Sequence, residues 1–433
     1  MNKRFFPIIL LVFSLKIYSQ DILSLDEAIT QALSQNYNIL LSVNDKEIAQ
    51  TANSWYAAGK LPSVTANGVW NNSITNLLQK LSNGTVIERN GNRTSVINLN
   101  GQFSYRLYGG KRVFIAKKRL DIQESIAEEA LKQDINQVVF DVTNSYININ
   151  RLIKQKSAIQ ETISFFEERS KLSRSRFEIG TAGKNDYLQS QIDLNVQRNN
   201  EINLTNNIAL AKMDLNQLLA RDPNTPFEVQ DIIVPETLPT QAEVMEAIES
   251  INPQITLLRY NQQILEQNAL EIKALQKPSL FANGSLNFNY NNSSAGFNLF
   301  TQNYGPQAGL SVSVPLFTRA LANQQIKINA LDYKNQGLQI DALKHSLQSS
   351  AAESYQNYNN ALQLIELEEQ NLNIIREHNN IAMERFRKAT ITTVELRQAQ
   401  LNLVEAQNRI INARYILKQS EVRLLYVMGR LIQ

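Results

Sequence analysis

The sequence predicts a mixed membrane protein, mostly α, in which internally duplicated long helical hairpins carry four β-strands per chain. Three observations predict it. First, Gly110 to Ile179 contains no proline and, after Gly110, no glycine until Gly180. Across it Ala127, Leu131, Ile135, Val138, Val142, Ser145, Ile149, Leu152, Ile159, Ile163 and Phe166 hold one helical phase. Arg319 to Lys388 does the same with one glycine, Gly337, and a stripe of Leu343, Leu347, Ala351, Tyr355, Tyr358, Leu362, Ile365 and Leu372. Some 70 residues at 1.5 Å each make a rod of about 105 Å, which a globular enzyme has little use for. Second, four stretches alternate apolar and polar residues with period two. Third, the two halves of the chain match at constant offsets.

The N-terminus reads as a secretory signal peptide over residues 1–19. Lys3 and Arg4 are its basic end, Phe5 to Leu15 its apolar run, and Tyr18-Ser19-Gln20 the cleavage region. The apolar run is too short to span a bilayer as a helix. No cysteine occurs in the 433 residues, so there is neither a disulfide nor a lipid-attachment thiol. An exported, cysteine-free chain suits a Gram-negative envelope.

The chain carries 43 basic and 40 acidic residues. Three of the basic ones, Lys3, Arg4 and Lys16, lie in the leader, so the rest is balanced and offers no basic footprint for nucleic acid. Beyond the leader no run of about 18 apolar residues remains. A crossing of the membrane therefore has to use β-strands in a closed barrel.

The first repeat, residues 20–221, opens on the capping box Ser24-Leu25-Asp26-Glu27, and a helix runs to about Gln35. A second helix is expected over Ile39 to Lys60, stopped by Leu61-Pro62. A strand follows at about 62–72, with Val64, Ala66, Gly68 and Trp70 on one face, then a polar loop over Asn71 to Thr94. The next strand, about 95–108, places Ile97, Leu99, Phe103, Tyr105 and Leu107 against Asn98, Asn100, Gln102, Ser104 and Arg106. The rod covers 110–179 after the bend Gly109-Gly110. It turns at Glu178-Ile179-Gly180-Thr181-Ala182-Gly183, and a return helix covers 185–219. A proline-bearing stretch, 222–239, reads as a surface linker.

The second repeat, residues 240–433, echoes the first. Thr240 and Glu243 repeat Ser24 and Glu27 at an offset of 216, as Pro278 repeats Pro62. Beyond the strands the offset is 209, as in Phe177 and Phe386, Thr181 and Thr390, and Arg221 and Arg430. The change falls within the strand–loop–strand unit, so the second loop is shorter. Strands are expected at about 279–291 and 306–317, the rod at 319–388 and the return helix at 393–428.

On each strand one face is rich in Asn, Ser and Gln. This length and period fit outer-membrane barrel strands, with Asn98, Asn100, Gln102, Arg106, Asn283, Asn287 and Ser311 facing a watery lumen. A soluble half-buried sheet gives the same alternation. The leader, the asparagine-rich loops and the strands that continue into rods favour the barrel. Four strands cannot close one, because about eight are the minimum. Three copies give a 12-stranded transmembrane β-barrel, and their hairpins pack side by side into a trimeric α-barrel.

These residues resemble the TolC-like outer membrane efflux proteins over the whole mature chain, about Leu23 to Met428. The most specific marks are the rod tips Arg176-Phe177-Glu178-Ile179-Gly180-Thr181 and Arg385-Phe386-Arg387-Lys388-Ala389-Thr390; Leu316-Phe317 after the last strand is also typical. The resemblance implies a homotrimer in outer-membrane lipid. It would be a passive exit duct that meets a periplasmic adaptor and an inner-membrane pump of RND or ABC type. It implies adaptor-docking tips at Arg176, Phe177, Gly180, Thr181, Asp186, Arg385, Phe386, Thr390 and Glu395. Three features depart from it: Ala389 stands where the first tip has Gly180, Thr318-Arg319 where the first rod has Gly109-Gly110, and Glu377-His378-Asn379-Asn380 before the second tip is less acidic than the narrowing ring of some members.

No enzymatic site and no cofactor or metal site is read from the residues. His345 and His378 lie about 50 Å apart along one helix and cannot share a metal within the chain. Glu167-Glu168 and Glu368-Glu369 read as solvated helix faces. The alternative reading is a periplasmic coiled-coil adaptor, whose long hairpins would come without lipid-length strands. Drug efflux, metal efflux and protein secretion all remain open as cargo.

Overall fold

The computed structural model describes residues 22–231 and 238–431. The expected leader lies outside them, as do positions 232–237 of the expected linker. The elements run in the order β1 (Ile22–Leu23), α1 (Leu25–Gln35), α2 (Tyr37–Ala52), β2 (Ser63–Lys80), β3 (Val86–Tyr108), α3 (Arg112–Glu178) and α4 (Lys184–Leu218). They continue with β4 (Glu228–Val229), α5 (Gln241–Ser250), α6 (Pro253–Leu275), β5 (Ser279–Ser293), β6 (Phe300–Ser313), α7 (Arg319–Arg387) and α8 (Thr393–Met428). The chain divides into two compact units. Among the described residues, one holds those within 22–40, 134–250 and 347–431; the other holds Leu41–Gln133 and Ile251–Ser346.

The rods form as the periodicity requires, at 67 residues for α3 and 69 for α7. In the first unit the stripe residues Val138, Val142, Ile149, Leu152, Ile159 and Phe166 are buried, joined by Val139, Tyr146 and Ile147 one turn-step away. Both expected capping boxes are made. Ser24 Oγ accepts from the Glu27 amide at 3.2 Å while Glu27 accepts from the Ser24 amide at 2.9 Å. Thr240 and Glu243 repeat the exchange at 3.3 and 2.6 Å.

The stretch expected to be a surface linker is partly core. Ile22 and Leu23 pair in parallel with Glu228 and Val229. Tyr146 Oη donates to the Leu23 carbonyl and accepts from the Gln230 amide, both at 2.7 Å. Phe227 is buried, under Lys212, whose ammonium donates to the Phe227 carbonyl at 2.5 Å. Prolines marked the absence of a helix; they did not reveal the backbone partners that Tyr146, Asn150 and Asn216 supply.

The second unit is built on one antiparallel sheet of order β2-β3-β5-β6. The two hairpins, one from each repeat, join through β3 and β5, from Thr94 opposite Ser293 to Tyr108 opposite Leu280. The polar loop expected over Asn71 to Thr94 is instead mostly strand. β2 and β3 have 18 and 23 residues and meet at a short turn around Gly84. There Asn71, Ser73 and Thr75 take one face of a long hairpin, and Asn72 and Ile74 the face of Trp70. A bulge between Thr75 and Leu77 is accommodated at Gly91, whose φ is 70° and whose amide donates to Asn76 Oδ1 at 3.1 Å. The second pair also shifts, to Ser279–Ser293 and Phe300–Ser313.

The helix expected to reach Lys60 ends at Ala52. Asn53 turns its amide onto Asp121 at 3.0 Å and Glu124 at 2.5 Å, and the Ala57 amide bonds to Ser54 Oγ at 3.1 Å. The Ser54 bond offers the backbone an alternative to another helical turn. At the bend between β3 and α3, Gly110 has φ 64°. A Cβ there would lie 2.8 Å from Lys277 Cβ and 2.9 Å from the Ala274 carbonyl, so only glycine fits.

Candidate docking tips and strand lining

The two rod ends use one turn geometry. At the first, the Thr181 amide bonds to the Arg176 carbonyl at 2.9 Å and the Gly180 amide to the Phe177 carbonyl at 3.0 Å, with φ 78° at Gly180. At the second, Thr390 bonds to Arg385 at 2.9 Å and Ala389 to Phe386 at 3.0 Å, with φ 60° at Ala389. This is the paired helix-end motif that normally selects glycine. Thr181 and Thr390 also donate their hydroxyls to the Arg176 and Arg385 carbonyls, at 3.2 and 3.0 Å.

The return helices start differently. Thr392 caps α8 in a full capping box with Glu395, at 3.2 and 3.1 Å. Gly183 caps α4 with no side-chain bond, and the Asp186 amide takes the Gly183 carbonyl at 3.1 Å. Glu395 is thus a cap as well as a tip carboxylate.

The nine expected tip residues fall into two groups. Phe386 is fully buried with Ala382, Met383, Leu396 and Ala399. Arg176 lies over its ring, 4.0 Å from the centroid, and donates to the Phe386 carbonyl, so these two join one hairpin end to the other. Gly180, Thr181, Arg385, Thr390 and Glu395 are exposed, and Asp186 is half-buried. Phe177 is 37% exposed and lies parallel to Tyr187, with centroids 6.2 Å apart.

Sequence reasoning missed the charged cluster that follows the tip along these helices. Arg169, with no exposed surface, ion-pairs with Asp193 and donates to Gln400 Oε1 at 2.9 Å. Arg397 reaches the same Asp193 carboxylate at 3.0 Å, and Gln189 donates to it at 2.9 Å. Burial pulls the Arg169 guanidinium below its ordinary range, and Asp193 opposes that shift. The signal was present: Arg169 falls three residues after Phe166, in phase with an apolar stripe.

Of the paired carboxylates expected on solvated faces, Glu369 is exposed, Glu167 and Glu168 are half-buried and only Glu368 is enclosed; each finds its own arginine. Glu167 meets Arg198 at 2.7 Å, Glu168 meets Arg387 and Glu369 meets Arg414 at 2.8 Å. Glu368 is buried and takes Arg409 at 2.7 and 3.2 Å. Arg409 holds the Glu368 carboxyl below the usual carboxylate range.

On the sheet, the expected lining residues share one face. Asn67, Asn100 and Asn287 stand in one cross-strand row, and Thr65, Gln102, Ser285 and Gln307 in the next. Asn98 stands opposite Asn289, and Arg106 opposite Phe281, its guanidinium 5.3 Å from that ring's centroid. Asn100 donates to Asn287, Ser104 to Asn283 at 3.1 Å, and Asn283 to Ser311 at 2.8 Å. The opposite face carries Trp70, Ile97 and Tyr290 in one row, and Leu99, Phe288 and Tyr304 in the row below. Among the described residues no helix is long and apolar enough to cross a membrane.

A family model described as outer membrane efflux protein matches residues 28–221 and 244–430, one segment per repeat. Outer membrane protein TolC of Escherichia coli (strain K12) is 21% identical over 328 residues, 72% of this chain and 66% of that protein. TolC of Salmonella enteritidis is 21% identical over 325 residues, 72% and 65% respectively. The chain thus spans slightly under two thirds of these relatives' length. Among solved structures, the Campylobacter jejuni CmeC outer membrane channel superposes with TM-score 0.78 at 15% identity, covering 94% of this chain and 86% of that one. The Vibrio cholerae outer membrane protein VceC gives 0.76 at 15%, covering 94% and 96%. At such identity the likeness is one of fold.

Proposed function

Since this chain belongs to the outer membrane efflux protein family, we propose that it is the passive exit duct of a tripartite export system. Three copies close a 12-stranded β-barrel in outer-membrane lipid, and the helical hairpins form an α-barrel in the periplasm. The tips dock a periplasmic adaptor coupled to an inner-membrane pump of RND or ABC type. The duct contributes sterics and a field; the pump supplies the work.

The observation that carries this reading is the four-stranded sheet with two free edges. β2 and β6 each pair on one side only. In hydrocarbon each unpaired backbone group costs several kcal/mol, so an open sheet is untenable there. Pairing β2 of one copy with β6 of the next removes both edges at once. The polar rows, from Asn100 and Asn287 to Gln102 and Ser285, then line water, and the rows of Trp70, Ile97, Leu99, Phe288 and Tyr304 meet lipid.

Docking rests on the exposed set, with Arg385 and Thr390 on one tip and Gly180 and Thr181 on the other. Arg176 and Phe386 support them from beneath.

The test is the mass of the complex extracted from outer membranes in mild detergent. A trimer in that fraction is expected. A soluble periplasmic monomer would overturn the reading and put the coiled-coil adaptor in its place.

A further inference from the structure

At the β5–β6 hairpin end of the sheet, in the two rows beyond Trp70 and Tyr290, the apolar face gives way to a concave site of about 520 Å³. Asn72, Ile74, Arg93, Ser95, Asn292 and Ser294 line it. Register puts Arg93 opposite Ile74, on the face that carries Ile97 and Leu99. A cation on that face is out of pattern, and no carboxylate among the described residues pairs with it.

The surroundings are built and not merely exposed. Trp70 Nε1 donates to Ser95 Oγ at 3.1 Å, tying the aromatic row to the rim of the site. The Arg93 amide bonds to Ser294 Oγ and its carbonyl accepts from the Ser294 amide, both at 2.9 Å. Ser294 in turn donates to the buried Asn92 at 2.9 Å. The backbone beneath the guanidinium is therefore fixed to the neighbouring hairpin, while the guanidinium itself is left available.

We infer that Arg93 and the hydroxyl and amide groups around it bind the phosphate of a glycolipid headgroup in the outer leaflet. The inference rests on the duct reading, which turns the hairpin ends of the strands to the cell exterior. Aromatic side chains mark the depth where hydrocarbon ends, and a site in the two rows beyond them, with Arg93 in the second, meets headgroups. A planar guanidinium suits phosphate oxygens in pairs, and the adjacent amides and hydroxyls suit sugar hydroxyls. Ile74, 70% exposed beside it, suits the top of an acyl chain.

The test is native mass spectrometry of the full-length protein in detergent, titrated with diphosphorylated lipid A, dephosphorylated lipid A or phosphatidylglycerol. Diphosphorylated lipid A is expected to be retained by the unaltered protein. Arg93→Glu and Arg93→Gln should each weaken retention at least tenfold, and Arg93→Lys should restore part of it. Equal retention by Arg93→Gln, or equal retention of the dephosphorylated form, would overturn the site. Equal competition by phosphatidylglycerol would overturn its assignment to the glycolipid. Recovery of the protein as a soluble monomer would remove the duct reading and this site together, a failure visible before any lipid is added.

Discussion

Arg169 and Asp193 form an ion pair with the guanidinium wholly enclosed, and a second arginine, Arg397, shares the same carboxylate. The pair joins α3 to α4, and Gln400 draws in α8. Removing the carboxylate strands a buried cation. Asp193→Asn is therefore expected to cost about 3–5 kcal/mol, read as a lower midpoint in thermal unfolding. Arg169→Met combined with Asp193→Leu removes both charges and should recover most of that loss.

The buried Glu368 gives a pH dependence of defined sign. Its folded-state pKa is depressed by Arg409, so its contribution is complete above the unfolded carboxylate range, about pH 4.3. It is lost as pH falls through the lower folded value, because the unfolded chain then binds the proton first. The unaltered protein should lose stability on acidification below that range more steeply than Glu368→Gln. Unfolding midpoints measured from pH 6 to pH 3 would check this.

The second tip holds Ala389 at φ 60° where the first holds Gly180 at 78°. A left-handed conformation costs a residue with a Cβ about 1–2 kcal/mol. Ala389→Gly should therefore stabilise the tip by about 1 kcal/mol, offset in part by the freer unfolded chain, and Gly180→Ala should do the reverse. Hydrogen exchange of the amides around residues 386–392 reports it locally.

Docking and tip integrity separate by residue. Arg385→Glu, at an exposed position, should abolish adaptor cross-linking and export without altering the melting temperature. Arg176→Ala should lower that temperature, because it removes a donor to the Phe386 carbonyl and the cation over its ring, together worth about 1–3 kcal/mol. Export unaffected by Arg385→Glu would remove that tip from the docking surface.

The sheet's two faces respond oppositely to charge. Asn287→Asp, on the polar face, should be tolerated and should shift the conductance of reconstituted channels towards cations. Leu286→Lys, one residue away on the apolar face, should impair insertion by up to about 2–4 kcal/mol near mid-membrane. Fractionation and bilayer recordings distinguish them.

The rods were legible because a single periodicity runs for some 70 residues, and the tips because two motifs recur at a constant offset. Period two located all four strands but misplaced their ends. Asparagine, serine and threonine at positions 71–75 suit a loop by composition, and only cross-strand pairing with 92–96 makes them a ladder. Buried polar bonds were harder still. Nothing local tells that Tyr146 bridges Leu23 and Gln230, or that Glu368 is enclosed while Glu369 is not. The partners lie far along the chain, and composition records residues without their neighbours.

The pairing of β3 with β5 has a consequence in time. Partners across that boundary, such as Thr94 and Ser293, are separated by nearly half the chain. At about 5–20 residues per second of synthesis, β3 waits on the order of 10–40 s before its partner exists. Through that interval the first hairpin has an unoccupied edge and an apolar face, the combination most prone to aggregation. Folding of the sheet is thus held back until the second repeat has emerged, and whatever escorts the chain must shield the first hairpin through that whole interval.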